Sequence, residues 1–575
     1  MLKENTFWIN IVYCMLIIGI VISISILASV PPVDRDALTH HLYVPKLYIQ
    51  QGGFFEIPRV TFSYYPMNLN LLYLIPLYFN NDIIPKFIHF AFALITAAMI
   101  YHYLKRRINQ QYALLGSLFF LSIPVIIRLS STVYVDLGLI CFFFGSILYL
   151  FRWIESSFKV KYLIISAVFC GLALGTKYNG LVGLFLLGLF APFVYARYHA
   201  GEKSHAIKAI GFSAIFVMVS LLVFSPWMIR NVVWTGNPVY PLYNSVFNPK
   251  KEPEKIKMAS DQAASEEETT ETVLEKRSRM SHIDTRRIIY GESWWEIALI
   301  PLRVFYDGQD DTPKYFDGKT SPFLLLLTPF AFLGLKSRTR QEKTEKMILL
   351  FFSVLFLLYA CAQASIRIRY FSPILPPLVV LSMYGLYNIR SVILEKWQLS
   401  EGIKKTIVFT IIVVMLGLNA NYLVSRFEKD QPMAYLTGKV TRDEYIQTYR
   451  PEYASFQYAN QNLSKDSRIL GLYLGNRGYY SDIEISFGIN TIQRLAAEAI
   501  SAKDVAQNLH ERNFTHLLVN YSLFNYWVQH YSLHEKQILK EFFDNYVVTE
   551  FSRDGYGLLG LKKASREQGI VSREQ

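Results

Sequence analysis

Long apolar runs recur along this chain from residue 7 to about residue 425, and they constrain its fold more than any other feature. A helix needs about 20 consecutive apolar residues to cross the hydrocarbon core of a bilayer. Eleven segments meet or approach that length, and we predict a transmembrane helix at each, which excludes a single soluble core. They lie near 7–30, 84–104, 111–130, 136–151, 162–176, 179–197, 206–229, 321–337, 347–364, 370–390 and 405–425.

The composition of the chain changes after about residue 425, from long apolar runs to a mixture of polar and aromatic residues. Residue patterns typical of strands occur at 468–474, 516–521, 546–551 and 557–561, and a Ser-Arg-Asp-Gly turn joins the last two as a hairpin. Helical patterns lie among them at 443–462 and 501–512. We therefore predict a polytopic α-helical membrane domain over 1–425, followed by a small soluble α/β domain over 426–575.

The formal net charge of +13 can indicate a nucleic-acid partner. Here, however, Lys and Arg gather in short stretches between apolar runs, which is the pattern of membrane topology, and no nucleic acid is expected. With eleven spans, the positive-inside rule places the N-terminus in the cytoplasm and the loops 31–83 and 230–320 outside it, together with the C-terminal domain. The short apolar segment 64–80, which contains Pro66 and Pro76, is predicted to lie along the membrane surface.

Two carboxylates follow the first apolar run directly. Asp34 and Asp36 come after Pro31 and Pro32, and this proline pair ends the helix at the membrane surface. A carboxylate within hydrogen-bond reach of an acceptor hydroxyl can take its proton as a general base, and Asp36 is our candidate. The alternative is that both acids only cap the next helix, as Asp often does.

His40 and His41 lie in the same stretch. Imidazole and carboxylate are common metal ligands, so these histidines could hold a divalent metal together with the acids. Adjacent histidines usually point in different directions, and we expect at most one of them to take part. No cofactor is otherwise indicated.

Asp136 opens the apolar run 136–151. A carboxylate drawn into hydrocarbon costs on the order of 2.5–3.5 kcal/mol, so we expect this side chain to face a polar cavity. Alternatively, Asp136 is an ordinary first-turn acid that the helix dipole favours.

Several cations fall on the same predicted face as the acids, against the positive-inside bias. A lipid-phosphate leaving group would explain them, because Lys and Arg stabilise its charge. Snorkelling to lipid headgroups is the alternative. The candidates are Lys177, Arg230, Arg303, Arg367 and Arg369.

The order of these features resembles the GT-C superfamily of membrane glycosyltransferases, in the branch of protein O-mannosyltransferases and the aminoarabinose transferases of lipid A. The segments that carry the resemblance are DRDALTHHLYVPKLYIQQGGF, SYYPMNLNLLY, STVYVDLGLICFF, GLALGTKYNGL, PWMIRNVVWTGNPVYPLY and RIRYFSPILPP. Together with the C-terminal domain they cover nearly the whole chain.

The resemblance implies roles for particular residues. Asp36 would act at the acceptor, with Asp34 completing a D-x-D pair, and Asp136 would line the cavity. Relatives often have Lys-Pro or His-Pro where this chain has Tyr65-Pro66, so Lys177 or an arginine would take over the phosphate contact. Further candidate substrate contacts are Tyr65, Asn68 and Tyr370.

We therefore expect an inverting glycosyltransferase of the bacterial inner membrane. Its donor would be a polyprenyl-phosphate-linked sugar, and its acceptor a protein, a lipid or a glycan on the extracytoplasmic side. The alternatives are a transporter or flippase of a lipid-linked glycan, for which no inverted repeat of interrupted helices is visible, and a non-catalytic membrane scaffold.

Overall fold

The computed structural model describes residues 2–201, 205–249, 282–335, 338–363 and 366–562. These residues are mostly helical and form two compact units. The described residues of the first, the membrane unit, lie within 2–32, 64–247 and 282–439. The described residues of the second unit, which we call the head unit, lie within 33–63, 248–249 and 440–562. The units thus differ from a simple division of the chain near residue 425.

The membrane unit makes the chain an integral membrane protein. Eight of its described helices are long and apolar enough to cross a bilayer, and each overlaps one of the eleven predicted spans. They are Phe7–Ala28, Ile84–Arg107, Asp136–Glu155, Gly180–Tyr198, His205–Thr235, Arg340–Cys361, Ile368–Lys396 and Glu401–Asp430.

The remaining three predicted spans depart from a straight transmembrane helix. The segment 111–130 is a bent pair, Gln110–Ser122 and Pro124–Ser130, with 66° between the two helices. Proline disfavours helical geometry in the residue before it, and Ile123 accordingly has a ψ of 129°. The other two are the shorter helices Val160–Leu174 and Phe323–Phe332. A helix of 15 residues is only about 22 Å long, short of the roughly 30 Å hydrocarbon core.

The predicted surface segment 64–80 forms a short helix, Asn68–Tyr78, after a 3₁₀ turn at Thr61–Tyr64. In the loop that follows helix His205–Thr235, the described part contains the short helices Trp294–Ala298 and Ile300–Arg303. Neither part of the chain contains a helix long enough to span a bilayer among the residues described.

The core of the membrane unit is built around helix Asp136–Glu155. Its side chains Leu137, Ile140, Phe143 and Phe144 are fully buried, so the helix has neighbours on most sides. This burial fixes the position of its first residue, Asp136.

The head unit contains a five-stranded sheet in the order β2-β1-β3-β5-β4. The strands are β1 (Arg468–Leu472), β2 (Glu484–Phe487), β3 (His516–Asn520), β4 (Val547–Arg553) and β5 (Tyr556–Leu561). β1 pairs in parallel with both β2 and β3, whereas β5 is antiparallel to β3 and β4. The predicted hairpin is confirmed, and β2 is the strand that the sequence did not indicate.

Helices complete the head unit. Those after residue 440 are Arg442–Tyr449, Tyr453–Asn462, Ile489–Glu498, Ala502–Glu511, Tyr521–Val528 and Leu533–Tyr546. The predicted helix 443–462 is thus two helices, separated at Arg450–Glu452, where the chain turns. The first loop adds a π-helical turn, Ala37–His41, and the helix Tyr43–Gln51.

Candidate functional site

Asp136 lies in the first turn of the buried helix Asp136–Glu155, and its side chain is fully buried. Its Oδ1 accepts a hydrogen bond from Lys177 Nζ at 2.8 Å. Its Oδ2 is also buried and has no hydrogen-bond partner among the residues that the structure describes. Burying a carboxylate is costly unless it is paired. The ion pair with Lys177 offsets this cost for Asp136.

Two cations flank the ring of Tyr370. Lys177 Nζ lies 5.1 Å from the ring centroid, and the Arg369 guanidinium lies 5.3 Å from it. Arg369 also lies 4.9 Å from the ring of Tyr134. Aromatic faces stabilise cations in this way. Four residues predicted from the sequence therefore come together: Asp136, Lys177, Arg369 and Tyr370, which we call the acid–cation cluster.

His89 fixes the start of the Asp136 helix, and the sequence analysis missed it. Its Nε2 accepts the backbone N–H of Leu137 at 2.9 Å, so Nδ1 carries the proton and donates to the carbonyl oxygens of Leu129 and Thr132. The ring is thus a neutral, fully buried connector. The signal was present, because a histidine within an apolar span is itself a reason to suspect a special role.

Arg230 belongs to a neighbouring group. Its Nη2 donates to the carbonyl oxygens of Tyr64 and Tyr65 at 2.6 and 3.1 Å, and its guanidinium lies between the rings of Trp227 and Trp234. The ring of Tyr65 itself packs against Tyr178, the residue after Lys177. Arg230 therefore holds the backbone that leads into helix Asn68–Tyr78.

Asn68 joins the same group through both ends of its amide. Its Nδ2 donates to the carbonyl oxygen of Leu172 at 3.2 Å, and its Oδ1 accepts from Trp227 Nε1 at 2.8 Å. Its backbone N–H donates to Gly175 O at 2.8 Å. The amide thus ties helix Asn68–Tyr78 to the segment that leads to Lys177.

The other two cations predicted from the sequence pair with acids of the loop that precedes helix Phe323–Phe332. Arg303 belongs to that loop, whereas Arg367 directly precedes helix Ile368–Lys396. Arg367 lies 3.7 Å from Asp317, and Arg303 pairs with Asp307 at 2.8 Å. Asp317 also pairs with Arg128 at 3.0 Å. The sequence analysis missed Arg128, although a cation inside the apolar helix Pro124–Ser130 was a visible signal.

Burial alone would raise the pKa of Asp317. The charges of Arg128, Arg367 and Arg369 outweigh that effect, and the pKa of this carboxyl lies below its ordinary value. Asp310 and Asp311 pair with the same arginine, Arg128. Three carboxylates therefore pair with one guanidinium, that of Arg128, whose side chain is 16% exposed.

In the head unit, the π-helical turn changes the expectation for the adjacent histidines. Asp36 precedes the turn, and its side chain makes no capping hydrogen bond to it. A π-helix has more residues per turn than an α-helix, so the fourth and fifth residues after Asp36 both return to its side. These are His40 and His41, whose ring centroids lie only 4.0 Å apart.

Both imidazoles therefore lie on the side of Asp36, and the number of histidines that bind a metal stays a prediction. One ligand atom each from Asp36, His40 and His41 lies within 4.8 Å of the others. Two imidazoles and a carboxylate form a donor set that suits zinc and similar divalent ions. The ring of His40 also stacks on Phe62 with centroids 4.3 Å apart, which fixes its plane.

The arrangement of helices and sheet is that of the GT-C fold of membrane glycosyltransferases. The chain matches the crystal structure of ArnT from Cupriavidus metallidurans bound to undecaprenyl phosphate with a TM-score of 0.55 and 11% identity, over 95% of this chain and 97% of that one. The apo form of ArnT gives a TM-score of 0.53 and 12% identity, over 97% and 98% of the two chains.

The Archaeoglobus fulgidus oligosaccharyltransferase tethered with an acceptor peptide also matches, with a TM-score of 0.54 and 10% identity. That alignment covers 97% of this chain and 74% of the oligosaccharyltransferase. Residues 77–229 match the family model for dolichyl-phosphate-mannose-protein mannosyltransferases. No curated protein matches the chain in sequence.

Proposed function

We propose that this protein transfers a sugar from a polyprenyl-phosphate carrier to an acceptor on the extracytoplasmic face of the membrane. The acid–cation cluster carries the proposal. Lys177 donates a hydrogen bond to a fully buried carboxylate at the start of a membrane helix, and Arg369 lies against the same Tyr370 ring as Lys177. A protein that serves only as a membrane anchor does not need charges at this position. The match to an undecaprenyl-phosphate-bound ArnT supports a lipid-linked donor.

The reaction is a direct displacement. An acceptor oxygen attacks the anomeric carbon, the bond between that carbon and the phosphate oxygen breaks, and the configuration inverts. The lipid phosphate leaves with the bonding electrons, and Lys177 and Arg369 stabilise its charge. Asp136 holds Lys177 through Oδ1 and offers Oδ2 to a sugar hydroxyl.

Asp36 takes the acceptor proton as general base. Asp34, whose backbone oxygen accepts the N–H of Leu38, begins the same turn and completes the acidic pair. Arg230, Asn68 and Tyr65 shape the wall beside Lys177.

A divalent metal fits the donors of Asp36, His40 and His41. Bound there, it would act as a Lewis acid and make an acceptor hydroxyl easier to deprotonate. Asp36, which precedes the π-helical turn, and His40 and His41 within it would supply the three ligands.

The acceptor is a protein, a lipid or a glycan; the peptide tethered in the oligosaccharyltransferase structure favours a protein. The membrane is the bacterial inner membrane, with the N-terminus in the cytoplasm and the head unit on the opposite face, because that orientation leaves the basic stretches inside.

The test is transfer of radiolabelled sugar from a panel of polyprenyl-phosphate sugars to membrane acceptors, with purified wild type, Asp36→Asn and Lys177→Met. The exposed Lys465 provides the control variant Lys465→Met. Transfer by wild type and Lys465→Met, with at least a 100-fold loss in the other two, is expected. Full activity of Asp36→Asn would refute its role as base. Translocation of a lipid-linked glycan across vesicles without transfer would favour a flippase.

A further inference from the structure

Residues 33–63 of the first loop and the described residues 440–562 of the soluble domain are far apart in the chain, yet they belong to a single compact unit. The contact runs through the loop between β1 and β2, residues 473–483, which we call the β1–β2 loop. We propose that this loop positions the Asp36 turn, so that the soluble domain acts in catalysis through the first loop. The inference rests on the proposed role of Asp36 as base.

Lys46 makes the central contact. It lies in helix Tyr43–Gln51, directly after the π-helical turn, and its Nζ donates to Tyr479 O at 2.8 Å and to Ser481 O at 2.9 Å. A third hydrogen bond goes to Asp482 Oδ1 at 2.7 Å. A lysine ammonium has three donors, so all of them are used on one loop.

Two of these acceptors are backbone oxygens, which makes the contact more specific than an ordinary surface ion pair. A carboxylate partner on a flexible side chain can follow a lysine through many positions, whereas two carbonyl groups two residues apart fix one geometry. The side chain of Asp482 is 63% exposed, and exposed ion pairs contribute little. The carbonyls of Tyr479 and Ser481 therefore set the position of Lys46.

The β1–β2 loop also contacts the turn itself. The backbone N–H of Tyr479 donates to the carbonyl oxygen of Leu38 at 3.1 Å, and Leu38 lies within the π-helical turn, two residues from His40. At Gly478, a Cβ atom would lie 2.7 Å from the Tyr43 ring, so the loop approaches that ring as closely as backbone can. These contacts hold both ends of the segment from the turn to Lys46.

The loop is itself well anchored in the soluble domain. Asn460 donates to Tyr480 O at 2.9 Å and accepts the N–H of Asp482 at 2.7 Å. Tyr473 has a positive φ of 61°, which a bulky residue keeps only where surrounding contacts impose it. Because these contacts hold the β1–β2 loop in one conformation, the loop can hold the first loop in a fixed position.

The position of the loop in the sheet is informative. β1 is flanked by β2 and β3, both parallel to it, so the strand order reverses at its carboxyl end. In open α/β sheets this switch point is where ligands bind. Here the β1–β2 loop leaves that end and binds the first loop of the same chain instead.

If the β1–β2 loop positions the Asp36 turn, removing the contact should make residues 36–48 more mobile and should also lower kcat. We would measure hydrogen–deuterium exchange and transfer kinetics on full-length Lys46→Met, Gly478→Ala and Asp482→Asn, with Lys465→Met as the exposed control. Lys46→Met should accelerate exchange in peptides covering 36–48 by about tenfold, leave β1 and β3 protected, and lower kcat by about 10- to 100-fold with little change in the KM for donor. Asp482→Asn should lower kcat by no more than about threefold.

Unchanged exchange at 36–48 in Lys46→Met, or faster exchange there with an unchanged kcat, would overturn the proposal. If Lys46→Met accelerates exchange in β1 and β3 as well, the proposal is judged on Gly478→Ala instead. The same two quantities are then compared with wild type: exchange in peptides covering 36–48, and kcat. If Gly478→Ala also loosens the whole domain, the contact is structural only and the proposal fails. Full activity of Asp36→Asn would instead refute the proposed base, while the exchange results for the loop contact would stand unaffected.

Discussion

The ion pair between Asp136 and Lys177 allows structural and catalytic roles to be separated by a double-mutant cycle. At 2.8 Å, two unit charges attract by about 6 kcal/mol at an effective dielectric constant of about 20. Much of this attraction offsets the cost of removing the charges from water. The net effect of each variant therefore depends on which charge remains buried.

The two single variants should differ because their remaining charges differ in burial. Lys177→Met leaves a fully buried carboxylate without its cation, and we expect a loss of about 3–5 kcal/mol in the free energy of unfolding. Asp136→Asn leaves an ammonium group whose side chain is 19% exposed and lies beside the Tyr370 ring, so about 1–2 kcal/mol is expected. The double variant removes both charges and should lose only about 0–1 kcal/mol.

Activity should not follow stability in this cycle. If Lys177 stabilises the leaving phosphate, the stable double variant remains inactive, with kcat reduced by about 100-fold or more. The assay is thermal unfolding in detergent beside sugar transfer, with Lys465→Met as the control. A Lys177→Met protein as stable as wild type would refute the argument from burial, and an active double variant would refute the catalytic one.

Three further outcomes follow from other parts of the structure. The lowered pKa of Asp317 means that its ionised form adds stability at neutral pH, and this contribution is lost as the pH falls below about 4, the usual carboxyl range. Thermal unfolding between pH 7 and 3 should show that loss, and Asp317→Asn should be less stable at pH 7 by about 1–3 kcal/mol with a shallower dependence below pH 4. Asn68→Ala should cost about 1–3 kcal/mol of stability yet change the KM for donor by less than about threefold, because its amide is bound to Leu172 and Trp227. His40→Ala and His41→Ala should each lower zinc or cobalt binding by at least tenfold in calorimetric titrations, with the exposed His530→Ala as control.

Each of these has a contradicting result. An Asp317→Asn protein with the wild-type pH profile would show that Arg128 does not depend on this carboxylate. A large rise in KM for Asn68→Ala at unchanged stability would make the amide a substrate contact. Equal metal binding by wild type and both histidine variants would rule out the site on the π-helical turn.

The predicted membrane spans and the α/β domain were found from the local pattern of apolar and polar residues. Apolar length located the spans, since a membrane-crossing helix must satisfy its backbone internally and present apolar side chains to lipid. The structure differs from the predicted spans where apolar length alone is not sufficient. Pro124 bends the predicted span 111–130, and the helix at 160–174 is too short to cross the bilayer alone. The α/β domain was visible through its hairpin, but β2, with only four residues, left too weak a pattern.

The residues of the acid–cation cluster were recognised one by one, because charges beside apolar runs are unusual and therefore conspicuous. Sequence alone could not show that Lys177 pairs with Asp136 and lies beside the Tyr370 ring, because these contacts join segments that are far apart in the chain. His89 and Arg128 are also conspicuous within apolar runs, but the sequence could not show their roles, because these depend on partners that only packing supplies.

The sequence by itself thus determined that this is a multispanning membrane protein with a soluble α/β domain and acids after its first helix, because these properties follow from local composition and period. The tertiary structure decided the rest. It showed that a π-helical turn gathers Asp36, His40 and His41, since one extra residue per turn cannot be read from the pattern of side chains. It also showed that residues 33–63 belong with the C-terminal sheet, because Lys46 binds backbone carbonyls, and a carbonyl group carries no signature in the sequence.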